Sequence, residues 1–273
     1  MLSLGHHPSV LPEELSGLVY RSLRPDSQLV PWIDHYWYAY APAPLAEKPF
    51  NFYADGGSTL IFDLSDTSAA RIHYKSSLNL VPIQELFSGP IAYFGIRFRP
   101  GGSYGLLGLA PDEIELPVKV NDQLETLHQQ LSELRGITQL ALLTDQWLSS
   151  LAHKQTLMPG IVQKSLTILQ QQPFFDYEAL QQQGIHRRRL ERAFSQHTGL
   201  SPGRLKQLTQ VKLARLLLRD SNESSLTDIA LACKFYDQAH FSHQFRRWVN
   251  TTPSIYRERK LSQIYKRSSP APE

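Results

Sequence analysis

One helical pattern occurs twice in the last third of this chain, and that repeat constrains the fold more than any other feature. The first copy reads His186-Arg187-Arg188-Arg189-Leu190-Glu191-Arg192-Ala193-Phe194-Ser195. The second reads Asp237-Gln238-Ala239-His240-Phe241-Ser242-His243-Gln244-Phe245-Arg246. Setting Leu190 on Phe241 puts Phe194 on Phe245, so each copy has bulky apolar residues at i and i+4, on one face of a helix. The opposite face carries Arg188, Glu191, Arg192 and Ser195 in the first copy. In the second it carries Ala239, Ser242, His243 and Arg246. A short helix with a narrow buried seam and a polar, basic outer face suits the DNA major groove. Two such helices point to a monomer that reads two groove segments.

The flanking residues supply the rest of two helix-turn-helix units. Residues Tyr177 to Gln182 read as a short helix, and Gly184 offers a positive φ at the turn at little cost. The second helix runs from His186 to Gln196, and Gly199 closes it as a C-terminal cap. Ser201-Pro202 restarts a helix, with serine at the N-cap and proline in the first turn. That helix extends to about Arg219, roughly 27 Å, slightly short of one DNA turn of about 34 Å, so it can hold two reading heads on one DNA face. Ser225-Leu226-Thr227-Asp228 opens the second unit as an approximate capping box. Cys233 to Tyr236 makes its turn, Phe241, Phe245 and Trp248 form its core stripe, and Pro253 begins a last short helix.

Charge is divided along the chain. Residues 173–273 hold 17 Lys/Arg against 9 Asp/Glu, whereas residues 1–172 hold 11 against 16. A basic C-terminal part on an acidic body points to a polyanion partner for that part alone. A hydrophobic content of 41% supports globular cores. The lone cysteine, Cys233, excludes an intrachain disulfide and reads as a buried small hydrophobe. The start of the chain lacks the basic-then-apolar layout of a signal peptide. No apolar run approaches the roughly 20 residues of a membrane span. A cytoplasmic setting without membrane contact is the expectation.

The first 120 residues read mostly as β. Leu60, Phe62 and Leu64 share one face of a strand; Phe94, Ile96 and Phe98 share one face of another, with Arg97 and Arg99 opposite. Turn signals at Asp55-Gly56-Gly57, Ser88-Gly89-Pro90 and Pro100-Gly101-Gly102 separate such strands, giving a sandwich or small barrel. From about Asn121 to Ala152 the pattern becomes helical. Leu124, Leu127, Leu131 and Leu134 form one stripe; Leu140, Leu143, Trp147, Leu148 and Leu151 form another. These stripes either pack on their own domain or pair two chains, and a homodimer is the expected use.

The residues of the last third resemble the AraC/XylS-type transcription regulators of bacteria. The resemblance covers about Ile161 to Arg257. It rests on Leu190-x-Arg192-x-Phe194, Gly199-x-Ser201-Pro202, Lys212-Leu213-Ala214, Leu217-Leu218 and Ile229-Ala230, in order. It continues through Phe235 to Phe241, Phe245-Arg246-Arg247, Thr252-Pro253 and Tyr256-Arg257. Three positions depart from the family pattern: Lys234 and Asn250 replace glycines, and His243 stands where arginine is frequent. A non-glycine at 234 implies mild backbone strain or an altered turn, while asparagine tolerates the left-handed region. The N-terminal half resembles the sensor domain on one branch of that family. The matching pieces are Pro31 to Trp37, Asp55-Gly56-Gly57 before Leu60-Ile61-Phe62, and Gly95 to Gly102. That resemblance implies a cupin-like barrel.

The expected fold is therefore α+β: an N-terminal small β barrel with following helices, then an all-α domain with two helix-turn-helix units. The expected boundaries are a barrel and its helices over 1–152, a linker over 153–160, the DNA-binding domain over 161–260 and a polar tail over 261–273. The expected DNA-facing residues are Arg187, Arg188, Glu191, Arg192, Ser195, Gln238, Ala239, His240, Ser242, His243 and Arg246. Glu191 either accepts from cytosine or steers Arg188 or Arg192 through an ion pair. Trp32, Tyr36, Arg97 and Arg99 are the candidates for a small-molecule effector, against core aromatics and solvent-facing strand arginines. Partners are double-stranded DNA, an effector, a second copy and, for an activator, RNA polymerase. His240 and His243 at i and i+3 lack a local third ligand, so no metal is expected. No catalytic residue and no cofactor are expected, since nucleophile elbow, phosphate loop and triad are all missing. The other function class, a cupin-like metal enzyme fused to a DNA-binding module, needs a compact histidine cluster that residues 50–110 lack.

Overall fold

The computed structural model describes residues 18–43, 51–65, 72–76, 81–82, 90–110, 122–152, 158–171, 181–182, 184–220 and 224–259. The Ser88-Gly89 turn signal, most of the Tyr177 to Gln182 helix and the tail over 261–273 lie outside them.

The N-terminal half is built on an antiparallel sheet. Its strands are β1 (Val19–Leu23), β2 (Ile33–Ala41), β4 (Ser58–Asp63), β5 (Ile72–Ser76) and β7 (Ile91–Phe98), in the order β1-β2-β7-β4-β5. A separate two-stranded ribbon joins β3 (Asn51–Phe52) to β6 (Val81–Pro82). Among the described residues the strands form this open sheet and ribbon, not one closed ring. The register sets Leu60 beside Ile96 and Phe62 beside Phe94. Because side chains alternate along a strand, Tyr36, Leu60, Phe62, Phe94, Ile96 and Phe98 share one fully buried face. Trp37, Ala39, Ala41, Ile61 and Ile91 form a smaller cluster of their own.

Among the described residues three helices follow in this half: α1 (Gly102–Leu107), α2 (Asp122–Ser132) and α3 (Ile137–Ala152). Leu124, Leu127, Leu131, Leu140 and Leu148 all join the main sheet core. Each stripe is thus buried in part by its own sheet, while Leu134, Leu143, Trp147 and Leu151 stay half-buried. Two polar contacts hold the layers together. Tyr36 Oη donates to Asp145 Oδ1 of α3 at 2.6 Å, and His128 Nε2 lies 2.7 Å from the carbonyl of Asp63.

The C-terminal half contains α4 (Gly160–Gln171), α5 (Arg187–Thr198), α6 (Pro202–Asp220), α7 (Leu226–Ala232) and α8 (Gln238–Val249), with a further short helix over 253–259. Leu190, Phe194, Leu205, Leu208, Ala214, Ile229, Phe241 and Phe245 are buried in one core. Met158 joins it at 3% exposure, so this core reaches into the segment expected as linker.

The two halves are packed together by two glycine turns of the sheet domain. A Cβ on Gly56 would stand 2.8 Å from Leu200 and Leu205, and one on Gly101 would stand 2.5 Å from Met158. Both glycines also have φ above 70°, a left-handed backbone that favours glycine there, and the contact atoms are the ends of flexible side chains. Asp55, next to Gly56, is shared between the halves. It pairs with Arg97 of β7 and lies 3.8 Å from Lys212 Nζ of α6. The Arg215 guanidinium of α6 stacks on the Tyr53 ring at 3.7 Å.

Candidate nucleic-acid interface

The helix α5 forms where the apolar repeat places it. Leu190 and Phe194 are fully buried, and Arg187, Arg188, Arg192 and Ser195 are exposed on the other side. Gly199 caps it with φ 68°, its N–H bonded to the Ser195 carbonyl. Ser201 caps α6 by accepting from the Arg204 N–H at 3.2 Å. Glu191 pairs with Arg187, 2.9 Å away; neither Arg188 nor Arg192 is its partner. The interaction is one turn of an exposed helix, so it orients more than it stabilises. Arg188 and Arg192, one turn apart, present their guanidinium groups outward. Beside them an open cleft of about 530 Å³ runs between Pro159, Ile161, Arg188, Arg192 and Gln196.

The second unit is opened by a complete capping box. Ser225 accepts from the Asp228 N–H, and the Asp228 carboxylate accepts from the Ser225 N–H. The Ser225 hydrogen bonds hold the Asp228 carboxyl below the ordinary value. Its turn contains Lys234 with φ 57°, the strained backbone expected of a non-glycine there. An L-residue in this region costs roughly 1–2 kcal/mol. Two backbone bonds close the turn, Lys234 N–H to Leu231 and Phe235 N–H to Ala230, both at 2.9 Å. This is the Schellman closure of a helix end, here without glycine. Asn250 takes the same left-handed conformation at the end of α8, also with φ 57°.

On α8, Phe241, Phe245 and Trp248 are buried, while Ala239, His243 and Arg246 are exposed and Ser242 is half-buried. Two residues expected to face DNA are engaged locally. The Gln238 side-chain carbonyl accepts from Thr227 Oγ1 at 2.8 Å. The His240 ring packs edge-on against Phe235, with Nδ1 3.4 Å from the Tyr236 N–H. Sequence reasoning passed over Tyr236, which is 89% exposed just before α8. Its signal in the sequence was a bulky aromatic in the turn between two helices, directly before the Asp237 cap.

The four effector candidates do not converge. Tyr36 lies in the helix-facing core, where burial, then the hydrogen bond to Asp145, raises its phenol well above the ordinary value. Arg97 and Arg99 are not solvent-facing strand arginines. Arg97 reaches Thr59 Oγ1 at 2.9 Å and pairs with Asp55; Arg99 reaches Asp34 at 3.3 Å and the Val30 carbonyl at 2.8 Å. Trp32 packs between the two main cores, its ring over Gly105. Among the described residues no group of three or more His, Cys, Asp or Glu side chains is placed to hold a metal ion.

Among the described residues, α5 and α8 each carry polar and basic side chains on an exposed face and are bridged by α6, and α8 is the second helix of a helix-turn-helix whose first helix is α7. Residues 180–259 match the family described as a helix-turn-helix domain, and residues 21–116 match one described as a domain of unknown function, DUF6597. Over 71 residues the chain is 46% identical to the HTH-type transcriptional activator RhaS of Escherichia coli (strain K12 / DH10B). That stretch is 26% of this chain and 25% of RhaS, so the chain matches about a quarter of the length of such curated relatives. Among solved structures it is similar to a transcriptional regulator with an AraC-type DNA-binding domain from Chromobacterium violaceum. That chain is 28% identical, covers 37% of this one and 91% of itself, and superposes with a TM-score of 0.33. ToxT from Vibrio cholerae O395 is 14% identical over 89% of this chain and 97% of its own, with a TM-score of 0.39.

Proposed function

We propose that this protein is a sequence-specific DNA-binding transcription regulator of the AraC type. The observation that carries the reading is the pair of helices α5 and α8. Each is anchored by a buried aromatic or leucine stripe, each turns exposed basic or polar side chains outward, and α6 joins them. Binding is an equilibrium with no covalent step, so the protein acts as a regulator and not as an enzyme. The working division is a sensor domain over 1–152, a linker over 153–160, a DNA-binding domain over 161–260 and a polar tail over 261–273. Control by a small molecule or partner at the N-terminal domain acts through different affinity for two states. RNA polymerase is the protein partner if the regulator activates, and a second copy is a further partner. The reading places the protein in the cytoplasm; among the described residues no helix is long and apolar enough to cross a membrane.

The test is selection of binding sites from random duplexes by the full chain at fixed salt, because phosphate contacts make affinity steeply salt-dependent. Enrichment of one motif supports the reading. Recovery of duplexes without a common motif, bound equally by an Arg188→Ala/Arg192→Ala double variant, overturns it.

A further inference from the structure

Gln210 is the one side chain of α6 whose amide the second helix-turn-helix unit uses directly. It is 4% exposed, in the middle of the helix that joins the two reading heads. Its Nε2 donates to the carbonyls of Cys233 and Lys234, each at 2.9 Å. Those two carbonyls belong to the turn between α7 and α8. The turn's N–H groups are already spent on Leu231 and Ala230, so its shape is closed on one side by α7 and on the other by Gln210. Within that grip Lys234 holds φ 57°, a conformation glycine adopts freely and lysine does not. Asp237 caps α8 three residues later, so the turn sets the direction in which α8 leaves.

We infer that Gln210 is a positioning residue for the second reading head: its amide clamps the left-handed turn at Lys234 and thereby fixes α8 against α6. The inference rests on the DNA-reading role proposed above. Removing the donor takes this hydrogen bond from the buried Cys233 carbonyl and from the part-buried Lys234 carbonyl, which costs stability and frees the turn to relax toward a conformation lysine prefers. The first reading head, α5, has its own cap at Gly199. The consequence is selective: α8 loses register on DNA while α5 does not.

The probe is a duplex selected by the wild-type full chain, and the readout is protection of each of its two groove segments in a footprint. Gln210→Met keeps the side chain's length and apolar stem without the donor. It is expected to weaken protection of the α8 segment about tenfold and leave the α5 segment within about twofold, one factor of ten being 1.4 kcal/mol. Adding Lys234→Gly, which removes the need for the clamp, is expected to restore most of the α8 segment. If circular dichroism shows Gln210→Met unfolded, Gln210→Glu, of the same shape, carries the comparison with the same expected selectivity. Equal weakening of both segments, unchanged protection, or no rescue by Lys234→Gly overturns the clamp while leaving DNA reading intact. No protection by the wild type overturns the DNA reading itself and the clamp with it.

Discussion

Arg192 stands on the outer face of α5, opposite Leu190 and Phe194. Replacing it with alanine is expected to cost about 1–3 kcal/mol on a selected site if it reads a base. His243, the corresponding outer residue of α8, has a smaller reach and lacks the forked donor geometry of a guanidinium. A gel-shift titration at fixed salt should therefore show Arg192→Ala weakening binding more than His243→Ala; the reverse order would contradict an unequal pair of heads. Cys233 offers a separate check on the core beneath α8. It is fully buried, and burial pushes its thiol up to about 12. The thiolate is the reactive form, so iodoacetamide at neutral pH should leave the native protein unlabelled and modify it in denaturant. Rapid native labelling would mean that the α7–α8 turn opens.

At the scale of elements, period explains what could be foreseen. Leu190 and Phe194, Phe241 and Phe245, and the strand faces of Leu60 and Phe94 are all encoded within a few residues, and all are buried as expected. The caps at Ser201, Ser225 and Gly199 are equally local. Lys234 was legible as strained because a resemblance marked the position. The clamp that holds it was not, since Gln210 lies 24 residues away and only packing of α6 on the turn brings them together. The leucine stripes of α2 and α3 show the opposite limit: their existence was readable, their covering surface was not. Leu127 is 1% exposed in the sheet core. Leu127→Ala is expected to destabilise the N-terminal domain by about 2–5 kcal/mol, seen as a lower melting temperature with unchanged sedimenting mass. A change of mass without loss of stability would return the stripe to a dimer interface.

At the scale of the whole molecule, one carboxylate joins the sheet domain to the bridging helix. Asp55, Arg97 and Lys212 are too far apart in sequence for any local pattern to associate them, and Arg97 read as a surface or ligand residue for that reason. Burial raises the Asp55 carboxyl. Arg97, then Lys212, then the hydrogen bonds from Arg97 and from the Gly57 N–H outweigh it and hold the group below its ordinary value of 3.8. A carboxyl lowered in the folded state stabilises above its unfolded value and loses that contribution as the pH falls through the folded one. Asp55→Asn should thus lower stability at neutral pH by about 2 kcal/mol, less than the roughly 3–5 of a fully buried pair because these groups keep some solvent contact. The gap between wild type and variant should close as melts are repeated below pH 3.8. A gap independent of pH would place the effect in packing and not in charge.

The central claim is that one chain reads two groove segments through α5 and α8. Hydroxyl-radical footprinting of a selected duplex, with the number of chains per duplex measured on the same complex by native mass spectrometry, tests it most directly. The account predicts two protected segments centred about 10–10.5 base pairs apart on one face of the DNA, held by a single chain. One protected segment per chain, or two segments only when two chains are bound, would contradict it.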